Sequence, residues 1–214
     1  MVLKKIISKE QIQKRQYWVE EIARLSGRFG DDSQKVEQEL SSEINKLGIK
    51  SLVGHLRLCG AIPEKYGHDT SEEKLYSKYT DIVLHEAFKS LGFSSCVLRE
   101  RADVADIECV NRKYSFVADA KAFRMSRTAK NQKDFKVQTM DGWKNGKPYA
   151  MVVCPIYQLP SRESQIYQQA ASRSVCVLSY THLSVLVRYA EISSKQAMRL
   201  LFKIFKTVES VKEC

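Results

Sequence analysis

The hydrophobic period of the chain changes at Gly92, and this change limits the fold more than any other feature. Before it, apolar residues recur every three or four positions. Val36, Leu40, Ile44 and Leu47 mark one face of a helix, and Gly48 follows where a helix C-terminus favours glycine. A shorter segment with Leu52, Val53 and Leu56 ends near Gly60, and a polar link runs from Pro63 to Asp69. Thr70-Ser71-Glu72-Glu73 has the capping-box pattern, with Thr at the cap and Glu three residues on. Leu75, Tyr79, Ile82, Val83, Ala87 and Leu91 continue from it as a stripe. That stripe predicts a helix of about five to six turns at 3.6 residues per turn, ended by Gly92.

Beyond Gly92 the apolar residues come in short runs. Phe93 to Leu98, Val104 to Val110 and Tyr114 to Ala120 read as a three-strand meander, the last two joined by the polar turn Asn111-Arg112-Lys113. Tyr149 to Cys154 and Ser174 to Tyr180 read as strands covered on both faces. Helices are expected from Arg162 to about Ala171, from a cap at Thr181 through Tyr189, and from Ser193 to Val208. The expected class is α/β (α+β), with a mixed central sheet flanked by helices. The chain reads as a single domain: an N-terminal helical region over 1–65, a core over 66–190 and a C-terminal helix over 191–214.

Composition narrows the function. The 214 residues carry 35 Lys and Arg against 25 Asp and Glu, a formal charge of +10, and the pI is near 9.3. An excess of this kind favours a polyanionic partner. No stretch reaches the ~18 apolar residues of a membrane span. Met1-Val2-Leu3-Lys4-Lys5-Ile6-Ile7 turns polar at Ser8, too soon for a signal peptide, so the expected compartment is the cytoplasm. The six cysteines contain no CxxC, which excludes the usual zinc patterns and gives no reason for disulfides. The four histidines are scattered.

The residues with chemistry lie on the second hairpin. Asp119 and Lys121 are two apart in an extended segment, so their side chains leave the same face. If the turn pairs Val110 with Ser115, Asp106 on the partner strand faces Asp119. Pairing Val110 with Tyr114 would put Asp106 on the other face. Two carboxylates at short range repel, and a hard cation such as Mg²⁺ relieves that repulsion while retaining several waters. A metal-held water, two carboxylates and a lysine are the parts needed to hydrolyse a phosphodiester. The alternative is a charged hairpin with Asp119 and Lys121 on its solvated side. Phe116-Val117-Ala118 directly before Asp119 argues against that, because a carboxylate ending an apolar strand is costly unless paired or metal-bound. Glu86, on the preceding helix, either points at the hairpin or is an exposed helix glutamate.

A basic segment follows. From Lys121 to Lys147 there are eight basic and two acidic residues, a local +6 that holds more than half the excess of the chain. Arg124, Arg127, Lys130, Lys133 and Lys136 recur every third residue. Such cations hold a nucleic-acid backbone. Asn131 and Gln132 suit adenine edges, and Arg127 or Lys130 guanine edges, although phosphate is the default partner.

The block Val117-Ala118-Asp119-Ala120-Lys121-Ala122-Phe123-Arg124-Met125-Ser126-Arg127-Thr128-Ala129-Lys130-Asn131-Gln132-Lys133-Asp134-Phe135-Lys136-Val137 resembles the HindIII restriction endonuclease family nearly residue for residue. Glu73 to Lys78, Asp81 to Leu84, Ala105-Asp106-Ile107 and Ser164 to Tyr167 are similar to it as well, so the resemblance spans roughly 45 to 190. It implies a PD-(D/E)xK nuclease core, a homodimer, double-stranded DNA as substrate, Mg²⁺ as cofactor and AAGCTT as the site. It implies a metal-holding role for Asp106, Asp119 and Ala120, a catalytic role for Lys121, and a supporting acid at Glu86. DNA contacts fall on Arg124, Arg127, Lys130, Asn131, Gln132, Lys133 and Lys136. Ala105 stands where the family pattern has proline. The family's chains continue beyond the point matching residue 190, so a compact relative or a truncated piece is expected. The other readings are a DNA-binding module without cleavage and a structure-specific repair nuclease on the same core.

Overall fold

The computed structural model describes residues 7–25, 27–98, 104–127 and 130–210. The stretches expected at the N-terminus, at Thr128 and Ala129 and at Cys214 lie outside them. Three helices come first: α1 (Lys9–Ala23), α2 (Phe29–Leu47) and α3 (Ile49–Leu58). Ser8 caps α1, and its side chain and that of Gln11 form a reciprocal capping box. Gly48 closes α2 with φ 72°, a conformation glycine adopts without strain. A short strand β1 (Ala61–Ile62) leads to the long helix α4 (Ser71–Ser90), which Thr70 caps as expected.

Strands β2 (Ser94–Val97), β3 (Ile107–Val110) and β4 (Ser115–Ala120) form the antiparallel meander. After it come β5 (Phe123–Arg124) and two short helices, α5 (Gln132–Phe135) and α6 (Val137–Trp143). The parallel strands β6 (Tyr149–Cys154) and β7 (Val175–Ser179) follow, with α7 (Gln165–Ser172) between them. The chain ends in α8 (Tyr180–Ser210), broken at Ser193 (φ −159°). The five-stranded order is β2-β3-β4-β6-β7, and β1 pairs with β5 in a separate two-stranded ladder. The mixed central sheet flanked by helices is therefore present as expected.

Two helix starts differ from expectation. The helix after β6 begins at Gln165, because the Ser164 hydroxyl accepts from the Tyr167 amide at 3.2 Å. The helix after β7 begins at Tyr180, capped by Ser179 rather than Thr181: the Ser179 hydroxyl accepts from the His182 amide at 3.1 Å. Ser193 sits at the break in α8 and accepts from the Gln196 amide at 3.3 Å, so the two expected helices form one bent rod.

Alternation along β4 builds two cores. Phe116, Ala118 and Ala120 pack with α4 and α8, together with Met151 and Val153 of β6. Val117 packs on the opposite side with Ala150 and Val152, against α6 and α7. Phe116 sits edge-on to Phe88 at 5.0 Å and to Phe93 at 5.2 Å, a favoured geometry for ring pairs. The N-terminal helices join the first core through a polar knot. Glu43 accepts from Trp18 Nε1 at 2.9 Å and Ser51 Oγ at 3.0 Å, and it pairs with His55 Nε2 at 3.0 Å. His55 Nδ1 meets the Tyr79 hydroxyl at 2.7 Å. Burial pushes the Glu43 carboxyl up, but the bonds from His55 and Trp18 outweigh it and hold the group at about 2. The described cysteines are all free thiols, and Cys59, Cys109, Cys154 and Cys176 are buried.

The hairpin β3–β4 is set by its turn. Asn111 Oδ1 accepts from the amides of Lys113 and Tyr114, both at 2.9 Å, and Asn111 N donates to Tyr114 O at 2.8 Å. Asn closes turns in this way because its side chain can stand in for a backbone carbonyl. Four residues are thereby enclosed, and Val110 pairs with Ser115. Replacing Asn111 with Ala removes both side-chain bonds and should cost about 1–2 kcal/mol. Chemical denaturation measures this loss, and amide exchange in β3 should rise with it.

Candidate active site

The pairing of Val110 with Ser115 matches Ile107 with Ala118. One step further along the same register, Asp106 stands opposite Asp119. The Asp106 carbonyl accepts from Leu98 N at 2.8 Å, which holds it beside the end of β2. Asp106 Oδ2 accepts from the Ala120 amide at 3.4 Å. The Asp119 carboxyl lies close enough to Asp106 for the latter's charge to raise it. Lys121 Nζ is ion-paired to Asp119 Oδ2. Its backbone is fixed by a 2.8 Å bond from Lys121 N to Val153 O of β6. The trio sits at the C-terminal end of β4, the strand with an antiparallel neighbour on one side and a parallel one on the other. Open α/β sheets place their ligand crevices at such ends.

Two further residues join from α4. Asp81 is buried and pairs with Lys78 at 3.0 Å. Burial raises the Asp81 carboxyl well above its usual range, and the charge of Asp106 adds to this. Lys78 is itself raised despite burial, by Asp81 first and then by Asp106 and Asp119. Sequence reasoning missed both residues. It treated α4 as a one-sided stripe, whereas Tyr76, Thr80 and Leu84 are buried as well as Tyr79 and Val83. On a helix covered on several faces a charged residue needs a partner. The signal available was Asp81 directly before the apolar run Ile82-Val83-Leu84.

Glu86 lies elsewhere. It is five residues beyond Asp81, about 140° round the helix. It is buried, accepts from Ser41 Oγ at 3.0 Å, and pairs with Lys89 at 3.0 Å. The Ser41 contact ties α4 to α2.

The basic segment is also partly committed. Arg124 is buried at 7% exposure, so the structure does not bring it to the surface. Its guanidinium donates to the carbonyls of Pro63 and Gly67 at 3.2 and 3.0 Å and pairs with Glu73 at 3.0 Å. Arg127 pairs with Asp134 at 2.5 Å. Lys130 Nζ donates to Leu159 O at 2.8 Å, and Gln132 Nε2 donates to Gln165 Oε1 at 2.6 Å. Lys136 lies over the Trp143 ring at 5.5 Å, at a left-handed joint (φ 46°) between α5 and α6. Asn131 and Lys133 are exposed.

The donor set fits a hard cation. Asp119 Oδ2 is buried and has no aligned hydrogen bond among the described residues, although Lys121 neutralises it. Burial pushes the Asp119 carboxyl up to about 7; Lys121 opposes this and Asp106 adds to it. A cation between Asp106 and Asp119 would relieve that cost. No three acidic, His or Cys side chains among the described residues converge closely enough to ligate an ion alone. Two carboxylates with water completing the shell is a set that Mg²⁺ accepts.

A testable consequence concerns stability. The folded Asp119 carboxyl titrates above its unfolded value of 3.8. Its contribution is therefore full below pH 3.8 and is lost as pH rises through about 7. Ionising such a group costs on the order of 3 kcal/mol. Without divalent metal, Asp119→Asn should therefore melt roughly 5–10 °C above the parent chain at pH 8. The difference should vanish near pH 4, and calorimetry at the two pH values reads it. Equal melting at pH 8 would contradict the electrostatic account.

Comparisons with known proteins bear on the family. The model of the HindIII restriction endonuclease family matches residues 15–214. The type II restriction enzyme HindIII of Haemophilus influenzae is 38% identical over 157 residues, covering 72% of this chain and 52% of that enzyme. The chain thus spans about half the length of that relative. With the mixed sheet and the strand-end carboxylates in place, the chain belongs to the HindIII restriction endonuclease family.

Proposed function

We propose that the protein is a Mg²⁺-dependent type II restriction endonuclease that cuts double-stranded DNA at a short palindrome, AAGCTT, leaving 5′-phosphate and 3′-hydroxyl ends. The observation that supports this reading is the hairpin end where Asp106 accepts from the Ala120 amide, next to Asp119 and its ion pair with Lys121. Among the described residues no helix is long and apolar enough to cross a membrane.

Asp106 and Asp119 would hold the metal through their carboxylates, and Ala120 through its carbonyl. When bound, Mg²⁺ supplies positive charge against the developing phosphorane and lowers the pKa of water. Lys121 exchanges its ion pair with Asp119 for the attacking water and a phosphate oxygen, holding both in line with the scissile bond. Asp81, held by Lys78, adds a third carboxyl behind the pair, and a bound cation would favour its ionised form. Arg127, Lys130, Asn131, Gln132, Lys133 and Lys136 line the path from the site, and most of their DNA bonds would go to phosphate. Arg124 acts from inside, fixing β5, just beyond Lys121, to the 63–67 link. A palindrome suits a homodimer with one centre per strand.

Incubation with Mg²⁺ and a sequenced phage DNA, followed by mapping of the ends, tests activity, site and cut position together. Discrete bands ending in AAGCTT support the reading. Salt-sensitive binding without bands would instead leave a DNA-binding module. Lys121→Ala should lower the cleavage rate at least about a hundredfold, the scale expected for one transition-state donor. Near-normal cutting by that variant would overturn the lysine's role.

A further inference from the structure

We infer that Arg127 is the guanine reader of the recognition segment, and that Asp134 and Gln158 are its positioning residues. The inference rests on the restriction-enzyme reading above and deepens it.

A phosphate contact tolerates a mobile cation. A base-edge contact does not, because two parallel N–H···O/N bonds require the guanidinium plane to be fixed beforehand. Among the cations of the segment, Arg127 is held both at its guanidinium and along its backbone. Asp134 pairs with its Nη2 at 2.5 Å. The ring of Phe123, itself buried, lies 5.6 Å from its Cζ. Its own backbone is fixed at both ends: Arg127 N donates to Arg124 O at 3.2 Å, and Arg127 O accepts from Gln158 Nε2 at 2.7 Å. The remaining side is open, since the Arg127 side chain is 38% exposed while Asp134 is 22% exposed.

The other cations lack this combination. Arg124 is buried. Lys130 is exposed and bonds a carbonyl, and as a point charge on a flexible stem it suits phosphate. Lys133 is exposed.

Gln158 is informative because it is only 2% exposed and belongs to the short 3₁₀ turn Ile156–Gln158 that follows β6. Its Oε1 has no hydrogen-bond partner among the described residues, and its Nε2 donates to Arg127 O. Burying an amide for a single contact is costly, and what it secures is the position of Arg127. Asp134, on α5, accepts from one edge of the guanidinium and leaves the other edge for the base. AAGCTT contains one guanine per strand, which matches one Arg127 per protomer of a two-fold dimer.

Binding to three duplexes tests this, with Ca²⁺ in place of Mg²⁺ so that the strands stay intact. One duplex carries AAGCTT. The second carries the same site with 7-deazaguanine, which lacks the N7 acceptor. The third carries a scrambled site. The parent chain should bind the 7-deaza site about tenfold less tightly than the natural one. In Arg127→Lys, which keeps the charge but not the fork, that ratio should fall to about one. Asp134→Asn and Gln158→Leu should each lower it severalfold, with melting temperatures recorded alongside to separate loss of aim from loss of fold. A parent chain that prefers AAGCTT but ignores the 7-deaza substitution leaves the site standing and overturns the guanine assignment. So does an Arg127→Lys variant that keeps the tenfold ratio. No preference for AAGCTT over the scrambled duplex sinks the site reading itself, and the guanine assignment with it.

Discussion

The arrangement depends on a turn of four residues. Asn111 bonds the amides of Lys113 and Tyr114 and thereby fixes how many residues the hairpin encloses. A slip of one position would turn every side chain of a strand to the opposite face. Here it would move Asp106 away from Asp119 and bury the wrong residues of β3 against α4. The polar tip and the carboxylate pair lie at opposite ends of the hairpin, yet the first determines the second through strict alternation.

Around the pair, charge is balanced within the protein. Three carboxylates, Asp81, Asp106 and Asp119, stand near two lysines, Lys78 and Lys121. Each lysine is paired with one aspartate, so the excess of one negative charge belongs to the site as a whole. Burial makes that excess unfavourable and raises the carboxyls it touches. The fold keeps the cluster only because its neighbours over-determine it: β6 fixes Lys121, β2 fixes Asp106, and α4 carries its own counter-ion.

Much of this was legible in the sequence. Helical and strand periods separate at Gly92, and the meander and the parallel strands lie where the apolar runs put them. The register was readable as a condition, with Val110 and Ser115 named, but not as a fact. Turn length depends on Asn111 forming a side-chain turn, and composition does not decide that. Asp81 and Lys78 were missed because periodicity describes one face of a helix and α4 is covered on several. Arg124 was read as a surface cation because charge runs are usually solvated. Its burial follows from the 63–67 link, whose carbonyls lie some sixty residues away in sequence, a separation that no local pattern reports. The helix caps at Ser164 and Ser179 shifted by three and two positions because several hydroxyls were available and packing chose among them.

The β1–β5 ladder has a consequence for the order of assembly. It joins Ala61 to Phe123 and Ile62 to Arg124, two residues on each side. A ladder so short cannot persist alone. It is held by the Tyr157 hydroxyl, which donates to Phe123 O at 2.6 Å and Gly60 O at 3.3 Å. Tyr157 follows β6, so the ladder waits for the parallel half of the sheet. Pairings between distant segments form late in folding because their loop-closure cost comes first. During synthesis, the segment that carries Lys121 and Arg127 would remain unfixed until Tyr157 has left the ribosome. Under the proposed function, a chain built this way would acquire its grip on DNA only after most of its core exists.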